Sequence, residues 1–333
     1  MKIITIEEHF LNSTISSAIH DETEKLAPGH SDAFKADFGH TSMRPEQLTD
    51  IGAGRLADMD ENNIDMQVLS YNSPATELIL DSSLALKLAV QANDQLSSAV
   101  KANPTRFAGF ATLPLSDPKV SVAELKRCVN ELGFKGVMAN GTAHGRFMDE
   151  PDFEQFWKTV SELDVPVCIH PTIVNKQVRD IYYHNPDPAF AARFASAGIG
   201  WHIEAGVHVM RLIFAGVFDR YPNVQVIMGH WGELIPFYME RINTYFPATA
   251  TPLKHDFEYY MRNNVYVTPS GLFNLPQLQN TISMMGADRI MYSADYPYYS
   301  LKGAREFLEN APISQEDKEK IAHGNAEKLL KII

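Results

Sequence analysis

The chain has 333 residues, 45% of them hydrophobic, and a formal net charge of −12. That length supports a large core and suits one α/β barrel as readily as two domains, while the negative charge disfavours nucleic acid or an anionic membrane as a partner. Two cysteines, Cys128 and Cys168, offer no disulfide framework, the N-terminus lacks the build of a signal peptide, and no apolar run approaches the ~20 residues of a membrane span. Together these point to a soluble, cytoplasmic protein.

In chain order, residues 3–6 read as a first strand that closes on Glu7-Glu8-His9-Phe10. Residues 11–50 are polar, with Pro28, Gly29, Gly39 and Pro45, and are too long for an idle connection. They read as an inserted loop region serving as an active-site lid or an oligomer contact. Residues 55–63 read as a helix and 64–70 as a strand ending in Tyr71-Asn72-Ser73-Pro74. A helix at 84–101, a strand at 107–113 and a helix at 120–131 follow. Next come a strand at 134–139 ending on Asn140, a helix at 152–163, and a strand at 165–169 ending on His170-Pro171. A loop over 172–188 leads into a long helical region, 190–219. Residues 224–229 form a buried strand that hands over His230 directly before an apolar-periodic helix through Leu234, Phe237, Tyr238 and Ile242. Glu233 falls in the first turn of that helix and Arg241 two turns later. Val265–Val267 leads to Thr268-Pro269-Ser270, and residues 288–293 lead to Ala294-Asp295-Tyr296-Pro297. A terminal helix opens near Ser314, with Asp317 completing a capping pair.

Eight short apolar strands, most separated by helices, are the count for a (β/α)8 TIM barrel in a single α/β domain spanning 1–333, with residues 11–50 inserted after the first strand. An open doubly wound sheet would place a glycine-rich phosphate turn where EEHF stands.

On a barrel the strands' carboxyl ends converge on one mouth, and here they carry Glu7, His9, Asn72, Asn140, His170, His230, Ser270 and Asp295. Glu7 and His9 lie two apart and share a face, leaving Glu8 to point outward. Glu7, His9, His170 and Asp295 form a hard N/O donor set suited to one Zn²⁺ or Mn²⁺ with open positions. Taken singly, each has an ordinary explanation, such as a loop-start His before Pro or a turn Asp. Their convergence, with His230, from the first, fifth, sixth and last strand ends carries the argument. Glu233 is placed to orient His230, and Phe10, Trp231, Tyr296 and Tyr298 flank the site as walls for a flat ligand. His20, His30 and His40 fall in the long loop as solvated residues, one of which could enter the mouth if a lid closes. His208 sits on an apolar helical stripe as a packed or interface residue. His144, His184, His202, His255 and His323 have no interpretable partner spacing.

The stretches EEHF, RLADMDENNIDMQVLSYNSPA, VCIHP, IMGHWGELIPFYMERI, GADRIMYSADYP and HGNAEKLL resemble the amidohydrolase superfamily. Within it they resemble the metal-dependent decarboxylases of the γ-resorcylate, 2,3-dihydroxybenzoate and 5-carboxyvanillate type and the related aminocarboxymuconate semialdehyde decarboxylases. The resemblance implies one divalent metal on Glu7, His9, His170 and Asp295. It also implies His230 and Glu233 as an acid/base pair and Arg241 as a substrate anchor. Arg55 would bind a substrate carboxylate, and Phe10, Asn72 and Trp231 would line the substrate site. The opening is Glu-x-His rather than His-x-His, and the fourth strand ends on Asn140 rather than a bridging lysine, which favours one metal and the decarboxylase branch. The implied reaction is non-oxidative loss of CO₂ from a hydroxylated benzoate, with Asp295 or His230 protonating the ring carbon and Asp295 preferred. The alternatives are a metal-dependent hydrolase of a lactone, ester or amide, and a barrel that only binds. The expected partner is a small aromatic carboxylic acid, and the expected assembly is a homodimer or homotetramer.

Overall fold

The computed structural model describes residues 1–37 and 44–332, and its centre is one curled parallel sheet whose strands follow chain order. The strands are β1 (Ile4–Phe10), β2 (Met66–Tyr71), β3 (Phe107–Thr112), β4 (Gly136–Asn140), β5 (Val167–His170), β6 (Val226–Met228) and β7 (Val265–Val267). The expected eighth strand is reduced to two parallel bridges, Val267 with Ile290 and Ile6 with Ser293. Met291 N donates to Val267 O and Ile6 N donates to Tyr292 O, each at 3.0 Å, so this segment contacts both β7 and β1. It does not continue as a strand because the next amides, Ala294 N and Tyr296 N, donate to the Glu8 carboxylate instead. The architecture is TIM-like, with the helices on the convex side.

Both faces of the strands are buried, which explains their near-continuous apolar sequences. Ile4, Ile6, Val68, Phe110, Met138, Cys168, Ile227 and Met291 fill the concave side. Leu69, Tyr71, Val137, Ile169, Met228 and Val267 face the helical layer.

The stretch 11–50 is not an irregular insertion. Its described part folds as α1 (Ser13–Leu26), α2 (His30–Asp37) and α3 (Pro45–Thr49). The Asn12 side chain caps α1 by accepting from Thr14 N and Ile15 N, an interaction typically contributing about 1 kcal/mol. Ile15, Ile19 and Thr23 are the buried positions of α1, a stripe too thin to stand out in a polar stretch. His30 is buried rather than solvated and faces Trp201, with ring centroids 6.5 Å apart. His20 Nδ1 lies 3.3 Å from Ser31 Oγ at the exposed surface, and His40 falls outside the described residues.

The next helices agree with the sequence to within a few residues: α4 (Ala53–Glu61), α5 (Ser82–Ala102), α6 (Pro118–Asn130) and α7 (Glu154–Leu163). Aspartates 81 and 117 cap α5 and α6. The expected loop 172–188 contains α8 (Lys176–Tyr182), and the expected continuous helix 190–219 is broken. It consists of α9 (Pro188–Arg193), a π-type turn at Phe194–Gly198, α10 (Gly200–Phe214) and a short helix Val217–Arg220. The break is close-packed: a Cβ on Gly200 would lie 2.4 Å from Ala195 O. No helix among the described residues is long and apolar enough to cross a membrane.

His208 lies on the buried face of α10, where its Nε2 accepts the Met148 amide at 3.0 Å and its ring meets Phe147 edge-on. Burial lowers its pKa to about 4, outweighing the nearby Asp149. The unfolded chain takes up a proton at this residue near pH 6.5. Its contribution to stability is therefore complete above pH 6.5 and is lost as the pH falls towards 4, by roughly 3 kcal/mol over that window. Urea melts at pH 7 and pH 4.5 should show His208→Gln losing less stability on acidification than the native chain. Equal losses would show that His208 is not the group responsible.

Candidate active site

The site begins with an irregularity in β1. Between Thr5 and Glu8 its pairing with β2 slips by one residue, and Glu7 takes φ 64°. Ile4 and Ile6 already occupy the concave side. Strict alternation from Ile6 would have turned Glu7 and His9 towards the helices. The bulge turns both inward, where they meet His170. Glu8 then points outward, fully buried between sheet and helices, and its carboxylate accepts Ala294 N at 2.9 Å and Tyr296 N at 3.1 Å. Burial raises its pKa to about 8 against the pull of these bonds and of Arg55.

Glu7 Oε2 accepts from Ser270 Oγ at 2.6 Å and Thr268 Oγ1 at 2.9 Å, so the two hydroxyls after β7 orient the carboxylate. Its other oxygen has no hydrogen-bond partner, and neither has either ring nitrogen of His9 or Nδ1 of His170. His9 Nε2 lies 3.2 Å from Asp295 Oδ1, and His170 Nε2 lies 3.9 Å from Glu7 Oε1. Donors of Glu7, His9 and His170 all fall within 4.8 Å of one another. Buried polar atoms without partners are rare. Here they converge, and the 3.9 Å between His170 Nε2 and Glu7 Oε1 lies within the roughly 4.2 Å that two ligands about 2.1 Å from one ion can span. Burial holds the His170 pKa well below its ordinary value, leaving the neutral imidazole that a metal requires. Burial also raises the Glu7 pKa, a penalty that a bound cation would offset. The residues therefore fit a divalent cation. Gly229 leaves room for the group: a Cβ there would lie 2.5 Å from Glu7 Oε1 and 2.7 Å from Ser270 Oγ.

The segment after β6 does not enter a helix at once, as its sequence suggests. His230, Trp231, Gly232, Glu233 and Leu234 have φ values of 48°, 59°, 82°, 51° and 68°, a left-handed turn that precedes the helix Ile235–Tyr245. Such a run is strained for non-glycine residues. It is held by His230 N donating to Ser270 Oγ at 2.8 Å and Trp231 N donating to Thr268 O at 2.7 Å. The turn brings Glu233, buried, back against His230, whose Nδ1 lies 2.8 Å from Oε1. Burial alone would lower the His230 pKa, but the Glu233 charge and hydrogen bond carry it up to about 9. His230 Nε2 lies 4.0 Å from Asp295 Oδ2.

A cavity of about 520 Å³ opens over this floor, within the range of small-molecule sites. His170, His230 and Asp295 line its base, and Asn72 lines one side, its Oδ1 accepting from Tyr298 OH at 2.7 Å. Phe34 of α2, whose ring centroid lies 6.0 Å from that of Tyr298, and Trp201 of α10 also line the cavity.

Other expected site residues lie elsewhere. Arg55 is buried behind β1, where its guanidinium donates to the carbonyls of His9, Gln47 and Asp50 and to Gln67 and lies over the Tyr296 ring. It braces the strand end and does not line the cavity. Arg241 is on the exposed side of the helix Ile235–Tyr245, 4.3 Å from the Tyr245 ring centroid. Of the apolar-periodic residues of this helix, Phe237 and Tyr238 are 74% and 54% exposed, whereas Ile242 packs against the core. Phe10 packs against Tyr71 in the outer core. Trp231 is also buried, donating from Nε1 to Leu272 O. Asn140 lies in the buried set below the cavity near Glu77, whose pKa burial raises to about 7. Sequence reasoning missed Phe34, Trp201 and His202, which come from segments without a strand end to mark them.

Residues 36–332 match the amidohydrolase family model. The chain belongs to the amidohydrolase family. It is 37% identical to the γ-resorcylate decarboxylase of a Polaromonas species over 99% of this chain and 98% of the relative. The solved structure of 2,6-dihydroxybenzoate decarboxylase in complex with 2,6-dihydroxybenzoate is similar at TM-score 0.85 and 33% identity, covering 100% of this chain and 99% of that one. A mutant 5-carboxyvanillate decarboxylase from Novosphingobium aromaticivorans, with bound manganese and 3-methoxy-4-hydroxy-5-nitrobenzoic acid, is similar at TM-score 0.89 and 32% identity, covering 99% and 97%.

The crowding at Gly229 yields a test of this amidohydrolase metal site. Gly229→Ala should push the Glu7 carboxylate aside and weaken Mn²⁺ binding about 10–100-fold in a chelator competition titration. Unchanged metal affinity would mean that Glu7 is not a ligand.

Proposed function

We propose that this protein is a metal-dependent carboxy-lyase that removes CO₂ from a benzoate bearing a hydroxyl group ortho to the carboxylate, as γ-resorcylate does. The observation that carries this reading is the position of Asp295 at the cavity floor. One carboxylate oxygen lies 3.2 Å from His9 Nε2 in the donor cluster, and the other lies 4.0 Å from His230 Nε2. A single side chain thus faces both the cation site and the acid/base pair. The similarity to γ-resorcylate and 2,6-dihydroxybenzoate decarboxylases supports the reaction class. The manganese in the 5-carboxyvanillate enzyme supports Mn²⁺, and the same donors suit Zn²⁺.

Glu7, His9, His170 and Asp295 would hold the cation, which when bound supplies Lewis acidity to lower the phenol pKa and polarise the carboxylate. Asp295, arriving protonated, delivers its proton to the ring carbon that bears the carboxylate. The new C–H bond interrupts the aromatic system. The C–C bond to the carboxylate then breaks, its electron pair restores the ring, and CO₂ departs. His230, held at Nδ1 by Glu233, presents Nε2 to Asp295 and passes it a proton drawn from water for the next cycle. The Asn72–Tyr298 pair offers a fixed polar edge to a ring hydroxyl, while Phe34 and Trp201 supply apolar wall that keeps water out.

The same reading takes residues 1–333 as one catalytic barrel domain in the cytoplasm, with α2 as part of the cavity's cover. The exposed Phe237, Tyr238 and Tyr245 favour a homodimer or homotetramer, because such patches mark association surfaces.

Protein stripped with chelator and reloaded with Mn²⁺ or Zn²⁺ should release CO₂ from an ortho-hydroxybenzoate in a substrate panel. Asp295→Asn should lower kcat about 10²–10⁴-fold while much of the metal is retained. Near-normal turnover in that variant would remove Asp295 as the acid. Acid release from a lactone or ester without CO₂ would place the protein among the hydrolases.

A further inference from the structure

A second group of convergent side chains lies beside the donor cluster: His202, His230 and Glu233. Its outer member, His202, stands in the first turn of α10 and has partners at both ring nitrogens. Nδ1 lies 2.9 Å from Glu233 Oε2, and Nε2 lies 3.0 Å from Trp201 Nε1. An indole nitrogen can only donate, so the nitrogen facing it must carry a lone pair. The proton of the His202 ring then sits on Nδ1, where a carboxylate can accept it. Protonating Nε2 as well would require breaking the Trp201 bond.

The consequence passes to Glu233, whose side chain is fully buried. One of its oxygens is saturated by His202 Nδ1–H, and the other receives His230 Nδ1–H at 2.8 Å. With its Nδ1 engaged in this way, His230 can turn only Nε2 towards Asp295. The His202 ring also packs edge-on against His230, with centroids 4.2 Å apart, which obstructs rotation of the imidazole. We infer that Trp201 and His202 are positioning residues that act through Glu233 to fix the orientation of His230, with Nδ1–H held on Glu233 and Nε2 turned towards Asp295.

The arrangement links the cavity wall to the acid/base pair, because Trp201 lines the cavity and its N–H is the first member of the chain. Without the His202 proton, one oxygen of a buried carboxylate would be left unpaired and Glu233 would be drawn to rotate or to compete for the His230 proton. The catalytic consequence rests on the decarboxylase reading, whereas the tautomer is a property of the resting protein.

The test uses the full chain labelled with ¹⁵N-histidine and long-range ¹H–¹⁵N correlation spectra at pH 7. His202 should show a protonated Nδ1 and a bare Nε2, and Trp201→Phe should abolish that fixed pattern. In turnover assays of the metal-loaded protein, His202→Leu should lower kcat about 10–100-fold with KM and metal content within about twofold. His202→Gln, which can accept from the indole and donate to Glu233, should recover most of that loss, a rescue that simple packing would not produce. A protonated Nε2 on His202 in the native chain would overturn the inference, as would a Leu variant with native kcat or a Gln variant no better than Leu. If the native protein releases no CO₂ but His202 shows the expected tautomer, the decarboxylase reading fails and the lock stands.

Discussion

The bulge in β1 is the constraint on which the site depends. One strand has to supply apolar side chains to the lower interior and two ligand-type side chains to the mouth, yet the alternation of a regular strand cannot carry Ile4, Ile6, Glu7 and His9 on one side. The extra residue at Glu7 resolves this, at a backbone angle that disfavours any residue except glycine by about 1–2 kcal/mol. The same slip sends Glu8 outward, where it accepts the amides on either side of Asp295. Two adjacent glutamates thus act on opposite faces of the strand. Glu7 faces His9 and His170, and Glu8 fixes the backbone on either side of Asp295. Arg55 completes the brace by donating to His9 O and lying over Tyr296.

Strain of this kind recurs around the mouth. Glu7, His230, Ser270 and Asp295 all have left-handed backbone angles; Glu7 stands at the bulge within β1, and the other three follow the carboxyl ends of their strands or segment. The first three are also bonded to one another: His230 N donates to Ser270 Oγ, which donates to Glu7 Oε2. A shift in any one of these residues must therefore be shared with the others. Strained residues persist only where surrounding contacts over-determine them, and their concentration here is what a preorganised site requires. Gly229 is part of the same crowding, since the strand end can approach Glu7 only without a side chain.

This division explains what the sequence made legible. Strand ends announce themselves, because an apolar run that stops on His or Asp places a polar side chain at a known edge of the sheet. Glu7, His9, His170, His230 and Asp295 were readable for that reason, as were the strands themselves. The left-handed turn at 230–234 was not, since its residues share their pattern with an ordinary helix start and only the contacts to Thr268 and Ser270 make it possible. Arg55 and Arg241 show that sequence does not fix where a charged side chain lies in the fold. Position in the chain does not say whether a guanidinium finds its acceptors in backbone carbonyls, as Arg55 does, or stays on an exposed helix face, as Arg241 does. The helices within 11–50 were hidden because α1 buries so few of its residues.

The cavity therefore has two parts of different origin. Its floor is set by the sheet, and strand geometry fixes the relative positions of its donors whatever substrate enters. Its other walls come from α2 and the start of α10, segments whose packing is local and whose sequences carry no periodic demand as strong as that of a strand. Phe34 reaches the floor through one intervening ring, since it packs against Tyr298 and Tyr298 packs edge-on against His9. Trp201 belongs to both parts, because it lines the cavity and reaches His230 through His202 and Glu233. A change of wall at that one position would therefore alter both the shape of the cavity and the contacts that hold the His230 ring.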